Sequence, residues 1–215
     1  MIEKRIDYID DPKDTYEQYL QKAMKYNFRC IFANPETIDI AKEMLKGSDI
    51  IIAGAIDFPL GVLTLEEKLN RFQLYADLGF KEIDYVLCQK HVENCQYEDI
   101  YKEMDAVHRF CIAHDIREKV IVEMCKLKDE DAKRKICEIA NQVKPSFLKT
   151  STGKSWKGAQ LEDVKLMKEC LCDDIKIKAA GGIKTYEQAI AFFKEGADVI
   201  GASAGIAIVE ESRDE

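Results

Sequence analysis

Apolar and β-branched residues gather into eight short runs along the chain, at 5–9, 28–34, 49–57, 82–88, 119–125, 146–152, 176–182 and 198–204. Between them apolar positions recur at three- and four-residue spacing, the period of a helix with one buried face. The stretch 65–78 carries Leu65, Leu69, Phe72 and Leu78 on such a stripe, and 186–195 reads the same way. Glycines fall where strand and helix must turn (Gly61, Gly79, Gly153, Gly181, Gly182, Gly196, Gly201), and no Ser/Pro/Gly-rich linker divides the chain.

Eight strands alternating with helices predict an α/β fold, a parallel (β/α)8 TIM barrel formed as one domain over residues 1–215. The rival is an open doubly wound sheet. It would want fewer strands at this length and a glycine-rich phosphate loop after the first strand, whereas the first run leads into Asp10-Asp11-Pro12-Lys13. Barrels of this kind gather their chemistry at the C-terminal ends of the strands.

A net charge of −8 argues against nucleic acid or an anionic membrane as the main partner and leaves room for a small anionic substrate held by local donors. No apolar run approaches the length that spans a bilayer. The charged start, Met1-Ile-Glu-Lys-Arg-Ile-Asp7, lacks an apolar signal core, so a cytoplasmic location is expected, with the eight cysteines as reduced thiols.

Two lysines stand inside strand-like runs of apolar or small residues, Lys149 and Lys178. A single such lysine reads as an edge residue whose ammonium reaches water. Two on consecutive strands lie about 4.8 Å apart at the backbone, and if both point inward one charge depresses the pKa of the other. A lowered lysine pKa is what an amine needs to attack a carbonyl and form a Schiff base. Asp84 is a carboxylate in mid-strand, expected to be the only one in that strand's inner register. It is placed either to hold an ammonium or to relay protons. Glu123 raises the same question and is expected to make a structural ion pair. Gly181-Gly182 after the seventh run, and Gly201-Ala-Ser-Ala-Gly205 after the eighth, read as a phosphate cradle of backbone N–H groups leading into helices.

These motifs closely resemble deoxyribose-phosphate aldolase. The resemblance rests on Lys149-Thr-Ser-Thr-Gly153, Gly158-Ala159, Asp163-Val164, Leu166-Met167, Lys178-Ala-Ala-Gly-Gly-Ile183 and Gly201-Ala-Ser203, with Asn34-Pro35, Phe58-Pro-Leu-Gly61 and Glu82-Ile-Asp84 in the same order. It covers nearly the whole chain. It implies a class I aldolase on a TIM barrel, without metal or other cofactor, joining acetaldehyde to glyceraldehyde 3-phosphate reversibly. By that likeness Lys149 is the Schiff-base lysine, Lys178 the lysine that lowers its pKa, and Asp84 the relay aspartate. Gly153, Lys154, Gly181, Gly182, Ser203 and the first-strand Asp7 fall on the side of the phosphorylated sugar substrate. The family commonly forms dimers, so a homodimer is expected.

The chain departs from the family in its first strand, where only Asp7 and Pro12 of the usual pattern persist, and at Phe32, Cys88 and Ala204. These changes spare the amine chemistry and fall on the acceptor side. Two alternatives stay open: a Schiff-base aldolase of the same fold with another acceptor, and a non-catalytic binding barrel. Retention of Lys149, Lys178 and Asp84 speaks against the second. Cys88, His91 and Cys95 offer a zinc set without a fourth ligand and are expected to be separate residues. His108 and His114 are expected to face solvent, and Cys30, Cys111, Cys125 and Cys137 to be core. Trp156 is read as either a cover of the phosphate region or a packing residue.

Overall fold

Eight parallel strands, hydrogen-bonded in chain order and closed by β1 against β8, form the barrel of the computed structural model, which describes residues 1–213. The strands are β1 Ile6–Tyr8, β2 Cys30–Phe32, β3 Ile51–Ile56, β4 Glu82–Val86, β5 Arg117–Ile121, β6 Phe147–Lys149, β7 Lys176–Ala180 and β8 Val199–Ala202. Around them lie α1 Tyr16–Tyr26, α2 Ile38–Met44, α3 Leu65–Asp77, α4 Gln89–Glu93, α5 Tyr97–Ala113, α6 Glu130–Val143, α7 Leu161–Cys170, α8 Tyr186–Lys194 and α9 Gly205–Glu211. The expected (β/α)8 architecture is therefore the one observed. Among the described residues no helix is long and apolar enough to cross a membrane.

Local chemistry sets the helix starts. Thr15, Thr64 and Thr185 each cap a helix in a capping box closed by Gln18, Glu67 and Gln188. Each pair satisfies backbone N–H groups that the first turn leaves without partners. The stripe expected on α3 is rotated: Lys68, Phe72 and Tyr75 are buried, while Leu65, Leu69 and Leu78 flank the core.

The fifth strand lies earlier than its apolar run. It begins at Arg117 and ends at Ile121, and two residues on Glu123 turns the chain in the left-handed region (φ 64°). Its polar start hid it. Glu118 accepts from Ser146 and lies 2.5 Å from His108 Nδ1, so that histidine is half-buried against a carboxylate and is not free in solvent. Lys119, on the opposite face of the strand, points among carboxylates inside the barrel.

Candidate active site

The barrel interior holds charge where such barrels usually hold branched apolar side chains. Lys149 on β6 pairs in register with Lys178 on β7, and Asp84 on β4 pairs with Lys119 on β5. Strand pleating sends all four side chains inward. Asp84 is the hub: its Oδ2 accepts from Lys149 Nζ at 2.7 Å and Lys178 Nζ at 2.9 Å, and its Oδ1 accepts from Lys119 Nζ at 2.9 Å. Below it, Asp7 Oδ2 lies 2.6 Å from Lys178 Nζ and 3.5 Å from Lys119 Nζ, and its other oxygen accepts from Arg29. Glu82 closes the base of the array, 2.8 Å from Lys119 Nζ and 2.7 Å from Arg29. Gly201 on β8 makes the room, since a Cβ there would lie 3.3 Å from the Lys178 side chain.

Three interior carboxylates, Asp7, Glu82 and Asp84, thus face four cations, Arg29, Lys119, Lys149 and Lys178. Arg117 reaches Glu82 from the rim but is half exposed and screened by water. The interior carries one positive charge in excess, and the pKa of Lys149 is lowered. Burial, then the ammonium of Lys178 and that of Lys119, push its pKa down to about 8, against the pull of Asp84. Burial contributes more than Lys178, which extends the expectation drawn from paired strands. For Asp84, burial alone would raise the pKa; Lys119, Lys149 and Lys178 outweigh it and hold the carboxyl well below the usual range. Asp7 is lowered against the same burial by Lys178, Lys119 and Arg29.

Above the array a cavity of about 190 Å³ opens at the C-terminal ends of the strands, lined by Ile9, Asp10, Phe32, Ala55, Phe58, Asp84, Lys149 and Thr152. Phe58 lies with its ring centre 5.7 Å from Lys149 Nζ, and Phe32 with its ring centre 5.0 Å from Lys178 Nζ. The amine whose pKa is lowered, that of Lys149, therefore faces this apolar space.

The expected cradle residues divide. Gly153, Gly158 and Gly181 are packed backbone to backbone: a Cβ on Gly158 would lie 2.1 Å from the carbonyl oxygen of Gly181, and one on Gly181 would lie 2.7 Å from Gly153 Cα. Only glycine permits that approach. Gly182, Lys154 and Ser203 are exposed, and nothing lies within 4 Å of where a Gly182 Cβ would be. Asp7 does not join them. It lies buried in the barrel against Lys178, a place from which it orients an ammonium and not a substrate phosphate.

Glu123 also departs from its expected ion pair. Its carboxylate accepts from Thr152 N and Cys125 Sγ, which fastens the loop after β6. Cys88, His91 and Cys95 form no metal-ligand group among the described residues, and Cys125 is half-buried and not core. Trp156 is 71% exposed with Lys126 beside its ring.

Sequence reasoning missed Lys119, Glu82 and Arg29. Glu82 and Lys119 share strand parity with Asp84 and Ile121, and that parity was the available signal. Both were masked because they sit at strand starts, where charge ordinarily means a wet edge.

No family model matches the chain. It is 40% identical over 200 residues to a deoxyribose-phosphate aldolase of Caldanaerobacter subterraneus, covering 93% of this chain and 86% of the relative. It is 39% identical over 216 residues to the deoxyribose-phosphate aldolase of Clostridium tetani, covering 99% of both. Among solved structures it resembles "QR15, an Aldolase" with a TM-score of 0.87, 29% identity and coverage of 99% of this chain and 96% of that one. It also resembles the tetrameric deoxyribose phosphate aldolase of Aeropyrum pernix, with a TM-score of 0.85, 26% identity and coverage of 99% and 91%.

Proposed function

The chain belongs to the deoxyribose-phosphate aldolase family, and from that premise we propose that it cleaves 2-deoxy-D-ribose 5-phosphate reversibly to acetaldehyde and D-glyceraldehyde 3-phosphate through a Schiff base on Lys149. The observation that carries this reading is the shared Asp84 oxygen. It lies 2.7 Å from a lysine whose pKa is pushed down to about 8 and 2.9 Å from a second lysine, beneath an apolar cavity. At pH 7 roughly a tenth of such amines are free, against well under a thousandth for an ordinary lysine.

In the cleavage direction the free Lys149 amine attacks C1 of the open-chain sugar, and a N–C bond forms. The carbinolamine takes a proton on its hydroxyl and leaves water behind, giving the protonated imine. Removal of the C3 hydroxyl proton breaks the C2–C3 bond, releases the three-carbon aldehyde phosphate and leaves the C2 electrons as an enamine. Protonation at C2 and hydrolysis free acetaldehyde and the amine. Asp84, anionic and within hydrogen-bond reach of both lysines, accepts protons, and the Lys178 ammonium returns them. Phe58, Phe32, Ile9 and Ala55 shield the enamine from bulk water.

The phosphate end is assigned to backbone N–H groups at Gly181–Gly182, to Gly153–Lys154 and to Ser203. Residues 1–215 act as one domain, located in the cytoplasm and paired as a homodimer, whose mass in solution light scattering would measure. The function is tested by following acetaldehyde release from 2-deoxyribose 5-phosphate with a coupled reductase. Release that Lys149→Leu abolishes is expected; no release from wild type would overturn the proposal.

A further inference from the structure

A second buried ion cluster lies outside the catalytic array, one layer behind β4. Lys68 on α3 has no exposed surface, and its Nζ donates to the Val86 carbonyl at the end of β4 at 2.6 Å and to Glu103 on α5 at 2.5 Å. Asp57 Oδ2 lies 3.3 Å from the same nitrogen. Both carboxylates carry the restraint onward. Glu103 accepts from Cys88 N with its two oxygens, at 3.2 and 3.1 Å. Asp57, in the left-handed region at φ 57°, accepts from Val62 N at 3.0 Å and Leu63 N at 2.9 Å. One ammonium therefore ties Asp57 just after β3, the end of β4 and Cys88 two residues beyond it.

Those are the two strand ends that position the reacting amine. Asp57 immediately precedes Phe58, whose ring roofs Lys149, and Val86 ends the strand that carries Asp84. A fully buried lysine must be held by compensating groups, because an uncompensated buried charge is costly. Here that requirement does not serve the proton chemistry; it fixes geometry. Side chains that hold a reacting group within a fraction of an ångström are worth rate, since a misplacement of about 1 Å costs on the order of 100-fold.

We infer that Lys68, with Asp57 and Glu103, is a positioning residue for the aldolase reaction: it pins Phe58 and the Asp84 strand in the alignment that Lys149 needs. The inference rests on the Schiff-base reading of Lys149. The pinning itself can be measured without it, from backbone protection.

The test uses Lys68→Met, and Lys68→Met combined with Glu103→Gln, which removes one of the two stranded charges so that the fold survives. Hydrogen–deuterium exchange across residues 57–64 and 86–89 should accelerate in the double variant while the far strands keep their protection. Its kcat for the sugar phosphate should fall roughly 10- to 100-fold with KM little changed. Phe58→Ala added to it should cost little more, because the two changes remove one and the same alignment. Lys68→Arg, which keeps the charge, should restore part of kcat. Unaltered protection of 57–64, or a kcat per folded molecule equal to wild type, would overturn the inference. Wild type inactive toward the sugar but with a loosened 57–64 segment in the variant would instead overturn the functional reading and leave the pinning supported.

Discussion

Lys149 and Lys178 stand opposite one another on β6 and β7 and direct their ammonium nitrogens at one oxygen, Asp84 Oδ2, from 2.7 and 2.9 Å. Each lysine is thus the other's nearest competitor for the same negative charge. Burial and that competition lower the Lys149 pKa, while Asp84 raises it. In Lys178→Met the competitor for Asp84 Oδ2 is gone, with Lys119 still on Oδ1, so the Lys149 pKa should rise from about 8. The acidic limb of the kcat/KM profile should move to higher pH by a unit or so, about 1.4 kcal/mol per unit, and activity at neutral pH should fall. A limb that stays in place would show that the two charges do not communicate.

Asp84→Asn should move the same limb the opposite way. The amide removes the charge that raises the Lys149 pKa, so a larger share of the amine is free at neutral pH. Borohydride trapping of acetaldehyde, read by peptide mapping on Lys149, should therefore persist. Turnover should nonetheless drop by roughly 10²–10⁴-fold, because the proton acceptor is lost. The diagnostic outcome is this separation of trapping from turnover; an equal loss of both would assign Asp84 to holding the lysines and not to proton transfer.

The fold and the lysine pair were legible because both are written in patterns of period. Eight apolar runs give eight strands, and Lys149 and Lys178 are conspicuous against Phe147, Leu148, Ala179 and Ala180. Lys119 and Glu82 escaped because each lies in a polar stretch, Arg117-Glu-Lys119 and Lys81-Glu82, where nothing in one dimension tells an inward charge from a solvated one. Arg29 and Lys68 escaped for a related reason. Asp7 and Glu82 lie 22 and 53 residues from Arg29, and Glu103 lies 35 from Lys68, so only the folded chain reveals these carboxylates that justify their burial. Asp7 was expected on the substrate's side, and its place against Lys178 was not legible, since that neighbour lies 171 positions further on.

Lys149 should also cost stability at neutral pH. Its pKa of about 8 lies below the unfolded value of about 10.4, so between those two pH values the unfolded chain binds more protons than the folded one. Stability therefore rises with pH through that window, by up to about 3 kcal/mol from this group alone. Lys149→Met keeps the apolar stem and removes the titration. Urea denaturation should find the variant more stable than wild type at pH 7, with the gap narrowing by pH 10. A variant less stable than wild type at pH 7 would mean that the ammonium is a net structural asset and that its pKa is not depressed. Asp84 and Asp7 work in the other direction: their lowered values give stability that is present above about pH 4 and lost as pH falls below it.

The glycines at the ends of β6 and β7 should separate into one that shapes the loop and one that faces the substrate. A Cβ on Gly158 would meet the Gly181 carbonyl oxygen at 2.1 Å, backbone that cannot give way, so Gly158→Ala should displace both loops and impair phosphorylated and unphosphorylated sugars alike. Gly182 is the contrast. Its Cβ position is open, and only its φ of +81° opposes a side chain, a strain of about 1–2 kcal/mol that the fold should survive. If that open space is where the sugar's phosphate sits against backbone N–H groups, the methyl of Gly182→Ala occupies it. KM for 2-deoxyribose 5-phosphate should then rise several-fold, with KM for 2-deoxyribose unmoved. Lys154→Ala should act in the same selective way, since a chain of net charge −8 repels a phosphate at long range and depends on local cations and donors to hold it. Loss of one hydrogen bond to a charged group costs about 1.5–3 kcal/mol, roughly 10- to 150-fold in kcat/KM. Steady-state constants for both sugars in wild type, Gly158→Ala, Gly182→Ala and Lys154→Ala decide the matter: a wild type without preference for the phosphorylated sugar, or a Gly182→Ala that weakens both sugars equally, removes the phosphate from this end of the barrel.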